Sequence, residues 1–184
     1  MPRSQQLSPG DVIDGVMCRS LEMNHDSRGC FTEVFSRNWG LPIEPVQWSI
    51  VASRPKVLRG MHFHRRHDEY IIIVRGRACV GLYDLRPDSP TMGVSSLIEL
   101  DETKLTCLSF PGGILHGWYF YEESIHLQGV SECYKDYCLD DNFGCHWADP
   151  ALRIAWPDST PVLSARSASF PTLNELVQLL GMKE

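Results

Sequence analysis

No run of apolar residues in this sequence comes near the ~20 needed to cross a bilayer as a helix, which excludes an ordinary membrane span. The opening stretch, MPRSQQLSPG, lacks the apolar segment of a secretory signal. Excess positive charge is missing too: the formal net charge is -6, which argues against a general nucleic-acid binder. A disulfide framework is also absent from the pattern. The seven cysteines are odd in number and form no C-x-x-C pair, so a reducing cytoplasm is expected, with most thiols serving as small core hydrophobes. Internal repeats and low-complexity tracts are missing, and helical patterning is confined to one end.

What is there is a chain of 184 residues, enough for one domain with a real core. From residue 11 onward, short strand-like runs alternate with turn signals. EYIIIV (69–74), ACVGLYDL (78–85), VSSLIEL (94–100) and KLTCLSF (104–110) are the clearest. Between them stand Arg75-Gly76-Arg77, Pro87 to Pro90, and Pro111-Gly112-Gly113. Many short strands at this spacing predict an all-β antiparallel sandwich or barrel. Ile71-Ile72-Ile73-Val74 is apolar on both faces and predicts a strand buried between two sheets. One helix is signalled: Thr172 and Glu175 form a capping box ahead of the stripe Leu173, Leu176, Val177, Leu180, and Gly181 is a stop. The expected organisation is a loose tail over 1–10, a barrel over 11–170 and a C-terminal helix over 171–184.

The basic run Arg54, Lys56, Arg59, Arg65, Arg66 reads either as a solvated face or as a site for an anionic ligand. Beside it lies the most informative segment. His62 and His64 share a face by strand parity, and Glu69 opens the next strand. Far along the chain, His116 follows the Pro-Gly-Gly turn. Together they make H-x-H-x4-E-x6-G followed by P-x-G-x-x-H, which resembles the two-part cupin signature, although Lys56 stands where its leading glycine belongs. In metal-binding cupins the matching positions, here His62, His64, Glu69 and His116, hold the ion. Imidazoles with one carboxylate suit Fe, Ni, Mn, Co or Zn. Structural histidines, or acid and base groups without metal, are the alternatives left open here.

A wider resemblance runs from about residue 11 to residue 173. It is carried by Asp26-Ser27-Arg28-Gly29-Cys30-Phe31-Thr32-Glu33, by Val46-Gln47 and by Val57-Leu58-Arg59-Gly60-Met61-His62. Asp84-Leu85-Arg86, Ser89 to Gly93, Pro111 to Gly117, Trp147 to Pro150 and Ile154 to Pro157 continue it. In order and spacing these resemble the dTDP-4-dehydrorhamnose 3,5-epimerase family, which implies a cupin (jelly-roll) barrel and a homodimer paired through exchanged N-terminal strands. It implies proton abstraction next to the keto group of a nucleotide-linked, dTDP-type 4-keto-6-deoxy sugar, with no cofactor required. The family's base falls on His62, and its nucleotide contacts on Arg28, Phe31, Glu33, Gln47 and Arg59. Arg suits a pyrophosphate because its fork binds two oxygens at once.

The departures are as specific. Where the family has a base-orienting aspartate, a sugar-facing lysine and a glutamine, this chain has Ser167, Glu69 and His64. The family's general-acid tyrosine falls near Ser131, with Tyr134 three positions on, so His116 and Tyr134 join His62 as candidate acid and base groups. Three readings are open: an epimerase with a rebuilt acid–base set, a metal-dependent cupin enzyme using the three-histidine, one-glutamate centre, or a noncatalytic sugar-nucleotide binder.

Overall fold

The computed structural model describes residues 13–137 and 140–182; the expected tail over 1–10 lies outside the described residues. In chain order the strands are β1 (Met17–Ser20), β2 (Asn24–Asp26), β3 (Gly29–Phe31), β4 (Gln47–Ser53), β5 (Leu58–Phe63) and β6 (Glu69–Arg75). Then come β7 (Arg77–Asp84), β8 (Ser95–Asp101), β9 (Thr106–Phe110), β10 (Ile114–Phe120), β11 (Ser124–Val130) and β12 (Phe143–Gly144). Three short helices lie beyond β11: α1 (Tyr134–Tyr137), α2 (Ala165–Ala168) and α3 (Leu173–Leu179). One sheet has the order β1-β9-β6-β11-β4, the other β12-β5-β10-β7-β8, and β2-β3 is a separate hairpin. The named strands pair antiparallel, giving the all-β barrel that the turn spacing predicts and the jelly roll that the resemblance implies.

The two sheets face each other across Ile71 and Ile73 of β6, Val80 and Leu82 of β7, and Trp118 and Phe120 of β10. Each such side chain, once buried, contributes roughly 1.5–3 kcal/mol of transfer free energy. The other parity of β6 points away from this core. Tyr70 and Ile72 lie under Val34, Phe35, Leu41 and Ile43, and the Tyr70 hydroxyl donates to the Val34 carbonyl. The isoleucine run is therefore buried on both faces, as its sequence implies, but only one cover is a sheet. The other is the irregular segment that leads into β4.

The C-terminal helix α3 starts where its capping box predicts: Thr172 Oγ1 accepts from the Glu175 amide, and the Glu175 carboxylate accepts from the Thr172 amide. Leu173, Leu176 and Leu180 pack on Met61, Phe63 and Leu115, on the outer face of the second sheet.

Two backbone features bring the histidine-bearing segments together. Between β5 and β10, His62 pairs with His116 and Arg59 with Trp118, so Gly60 and Met61 on β5 stand opposite Gly117 alone on β10. This bulge reverses the strand's parity. It is built on Gly60, at φ 121°, where a Cβ would stand 2.6 Å from the Gly117 Cα. Gly112 plays the second part. Its amide donates to Asp68 Oδ1 at 3.1 Å, and the Gly113 amide donates to the His64 carbonyl at 2.6 Å. The turn before β10 is thereby bonded to the loop after β5, which joins the two halves of the histidine pattern.

Candidate functional site

A cavity of about 420 Å³ opens between the sheets. Arg59 and His62 of β5, His116 and Trp118 of β10, and His126 and Gln128 of β11 line it, and the segment Val162–Ser167 closes one side. Arg59 and His62 are three apart, so regular pleating would send them to opposite faces; the bulge at Gly60 brings both into the cavity.

The His62 ring makes no hydrogen bond among the described residues. It is held by ring contacts instead, edge-on to Phe170 at 5.8 Å and tilted against Trp118 and His116 at 6.1 Å each. Burial, then the neighbouring His64, Arg166 and Arg59, pushes its pKa down to about 3. It is a neutral imidazole at ordinary pH with both nitrogens available to a ligand. Arg59 is pre-set by the end of β4: Nε donates to Ser53 Oγ at 2.9 Å and a terminal nitrogen to the Ala52 carbonyl at 3.1 Å. Arg166, on the covering segment, donates to the carbonyl and the side-chain oxygen of Asn142 at 2.7 Å each and lies over the Phe170 ring. Two guanidinium groups and a neutral imidazole thus line one cavity, a pattern suited to an anionic ligand beside a proton acceptor.

Deeper in, a second group centres on Glu69. Its Oε1 lies 3.4 Å from His67 Nε2 and 3.8 Å from the Nε2 atoms of His64 and His116. Its Oε2 accepts from Gln128 Nε2 at 2.8 Å. All four residues of this group are buried. Burial and the His67 charge hold the His64 pKa low, and burial and the His64 charge do the same for His116. Of the four residues in the expected ligand set, three meet here. His62 instead faces the cavity, and His67 takes a place that the sequence pattern did not give it.

The remaining expected residues lie elsewhere. Arg28 and Phe31 are on the exposed β2-β3 hairpin with Glu33 just beyond it, and none of them lines the cavity. Arg28 pairs with Asp26 at 2.5 Å, and Phe31 is 66% exposed. Gln47 accepts from the Tyr134 amide at 3.0 Å, and the Tyr134 side chain is exposed. Ser167 lines the cavity, where its Oγ accepts from Ser164 Oγ at 3.0 Å. Sequence reasoning missed Arg166, His126 and Gln128. The last two alternate on β11, so strand parity alone could have paired them.

The chain is similar to known proteins in sequence and in fold. The family model described as dTDP-4-dehydrorhamnose 3,5-epimerase matches residues 11–175. A dTDP-4-dehydrorhamnose 3-epimerase of Streptomyces niveus is 32% identical over 162 residues, covering 84% of this chain and 77% of the relative. Among solved structures, NovW, a 4-keto-6-deoxy sugar epimerase from the novobiocin biosynthetic gene cluster of Streptomyces spheroides, is similar with a TM-score of 0.83 and 29% identity. That match covers 99% of this chain and 94% of the other. The dTDP-6-deoxy-D-glucose-3,5-epimerase of Legionella pneumophila, solved with dTDP-4-keto-L-rhamnose, matches with a TM-score of 0.83 and 25% identity over 91% of this chain and 93% of the other. With the jelly roll shared by the solved relatives and a sequence match that spans nearly the whole chain, the protein belongs to the dTDP-4-dehydrorhamnose 3,5-epimerase family.

Proposed function

We propose that this protein epimerises a dTDP-linked 4-keto-6-deoxy sugar, with His62 as the base. The observation that carries this reading is the shared cavity of His62 and Arg59, which the Gly60 bulge creates. Carbons 3 and 5 of such a sugar flank the carbonyl, so their protons are acidic. A neutral His62 takes one, the electron pair moves into an enolate, and a proton returned from the opposite face gives the inverted centre. His116 is turned toward Glu69 and Tyr134 lies on the outside, so in this scheme water donates the proton, and the hydroxide left behind takes the proton from His62, restoring the neutral base. The reaction is redox-neutral and requires no nicotinamide. Arg59 and Arg166 take the pyrophosphate.

Dimerisation completes the reading. Arg28, Phe31 and Glu33 do not reach their own cavity, and the hairpin that carries them projects from the barrel. Edge strand β4 exposes Trp48 and Ile50, and Val46 just ahead of it is exposed too. These apolar side chains form the proposed contact between two copies, with the hairpin of one reaching the cavity of the other. The free thiols of Cys18, Cys30, Cys79, Cys107, Cys133 and Cys145 are in keeping with a cytoplasmic setting.

The test is solvent exchange. Incubation with dTDP-4-keto-6-deoxyglucose in deuterium oxide should place deuterium at carbon 3, carbon 5 or both, read by proton NMR. An unlabelled sugar after prolonged incubation with folded enzyme overturns the proposal.

A further inference from the structure

The Glu69 group has a chemistry that proton abstraction at His62 leaves unused. The Nδ1 of His64 is 2.5 Å from the Asp141 carbonyl, and the Nδ1 of His116 is 3.0 Å from the Ile114 carbonyl. A carbonyl oxygen only accepts, so both Nδ1 atoms carry the proton. A neutral imidazole has one N–H, so each Nε2 presents a lone pair, and both point at the same Glu69 oxygen. His67 adds a third ring, with Nε2 3.4 Å from that oxygen and Nδ1 3.7 Å from Asp141 Oδ2. Asp141 is itself fixed, accepting from the Arg65 amide at 2.6 Å and the Arg66 amide at 3.0 Å.

Lone pairs directed at a buried carboxylate repel it unless something positive lies between them. The separations are too long for charge-assisted hydrogen bonds, which run about 2.7–2.9 Å. They are close to the spacing of two ligands on one ion: metal–ligand bonds of about 2.0–2.1 Å at tetrahedral angles put the donors about 3.4 Å apart. Donor atoms of His64, His67 and Glu69 all lie within 4.8 Å of one another. His116 Nε2 is fully buried, has no hydrogen-bond partner among the described residues, and faces the same carboxylate. Outer groups that accept from the far side of a ligating histidine are what metal sites use to fix tautomer and direction. Here the Asp141 carbonyl does so for His64.

We propose that His64, His67 and Glu69 bind a divalent transition metal, and that His62 takes no part in holding it. Nitrogen-rich coordination favours Zn, Fe, Co or Ni over Mg or Ca. His64 also lines the cavity, so the ion sits at its inner wall while His62 keeps its proton-accepting nitrogens. This assignment differs from the one that the sequence pattern suggests, in which His62 is a ligand, and it stands whether or not the sugar chemistry at His62 is as proposed.

The experiment uses the untagged protein, stripped with a chelator and reloaded with Zn(II) or Co(II). The expected result is one ion per chain by elemental analysis, with visible cobalt bands of a low-coordinate, nitrogen-rich site. His62→Asn should keep full stoichiometry, and His67→Gln should lose at least 10-fold in affinity. Should His67→Gln fail to fold, the cobalt spectra of wild type and His62→Asn decide alone. Absence of bound metal after loading overturns the proposal, and so does a His62→Asn variant that no longer binds the ion.

Discussion

His62 and His116 are register partners on β5 and β10, with ring centroids 6.1 Å apart, yet they serve different neighbourhoods. His116 directs Nε2 at the Glu69 carboxylate, 3.8 Å away. His62 stands among rings in the cavity and is hydrogen-bonded to nothing in the described chain. Acid–base work and any ion-holding work can therefore proceed side by side.

Removing the proposed base should be the most damaging single change to the reaction. His62→Asn should lower solvent deuterium incorporation by ~10²–10⁴-fold, the usual contribution of a positioned general base. Binding of dTDP, measured by calorimetry, should persist, since the ring makes no hydrogen bond that holds the cavity wall. Exchange within 10-fold of wild type would move the base elsewhere.

Arg59 should govern nucleotide affinity. Loss of one charged hydrogen-bonding partner typically costs ~2–5 kcal/mol, in part because the other partner is left unpaired. Arg59→Ala should weaken dTDP binding by at least ~10-fold, which needs only ~1.4 kcal/mol. Titration calorimetry that gives the same dissociation constant for variant and wild type would remove Arg59 from the site.

His126 should make the fold acid-sensitive. It is buried, its ring stacks at 5.9 Å on Trp118 and 5.5 Å on Phe120, and its Nδ1 has no partner among the described residues. Burial first, then the Arg59 charge, lowers its pKa from 6.5 to about 4. The unfolded chain therefore binds its proton first. Stability is fully present above about pH 6.5 and is lost as pH falls toward 4, by on the order of 3 kcal/mol for this group. His126→Phe keeps the stacking and removes the titration, so its melting temperature should fall less over that window. Parallel melting curves for the two proteins would show that His126 is not responsible.

The exposed apolar strip on β4 should matter to assembly and little to folding. Ile50 is 75% exposed and Trp48 41%. Ile50→Glu should shift the mass seen by light scattering at micromolar concentration from dimer to monomer, with a melting temperature set by the single chain. A wild-type monomer at that concentration would instead leave the strip unpartnered.

The barrel was legible in the sequence because its strands are short, apolar and separated by Gly and Pro, and because the capping box of α3 is a local signal. His62, His64, Glu69 and His116 were legible as a set through spacing. How they divide was not, since that depends on Gly60. Alternation alone sends Arg59 and His62 to opposite faces, and only the bulge, forced where β5 meets Gly117, brings them together. His67 was hidden for a similar reason: it lies in a loop, where no periodicity says which way a side chain turns. The covering segment with Arg166 was invisible because its helix α2 is a single turn and lies far along the chain from β5, the strand whose Arg59 and His62 it covers.

β6 has strand neighbours on both edges, the inter-sheet core on one face and the Val34–Ile43 segment on the other. A strand enclosed in this way opens only when the whole domain does, so its amides belong with the slowest to exchange with solvent. Glu69 opens that strand, which fixes the carboxylate to the last part of the molecule to unfold. The β2-β3 hairpin, paired with neither sheet, belongs to the fastest-opening part. The inner wall of the site thus keeps its shape through local fluctuations, and the pieces free to adjust around an arriving ligand are those at the rim.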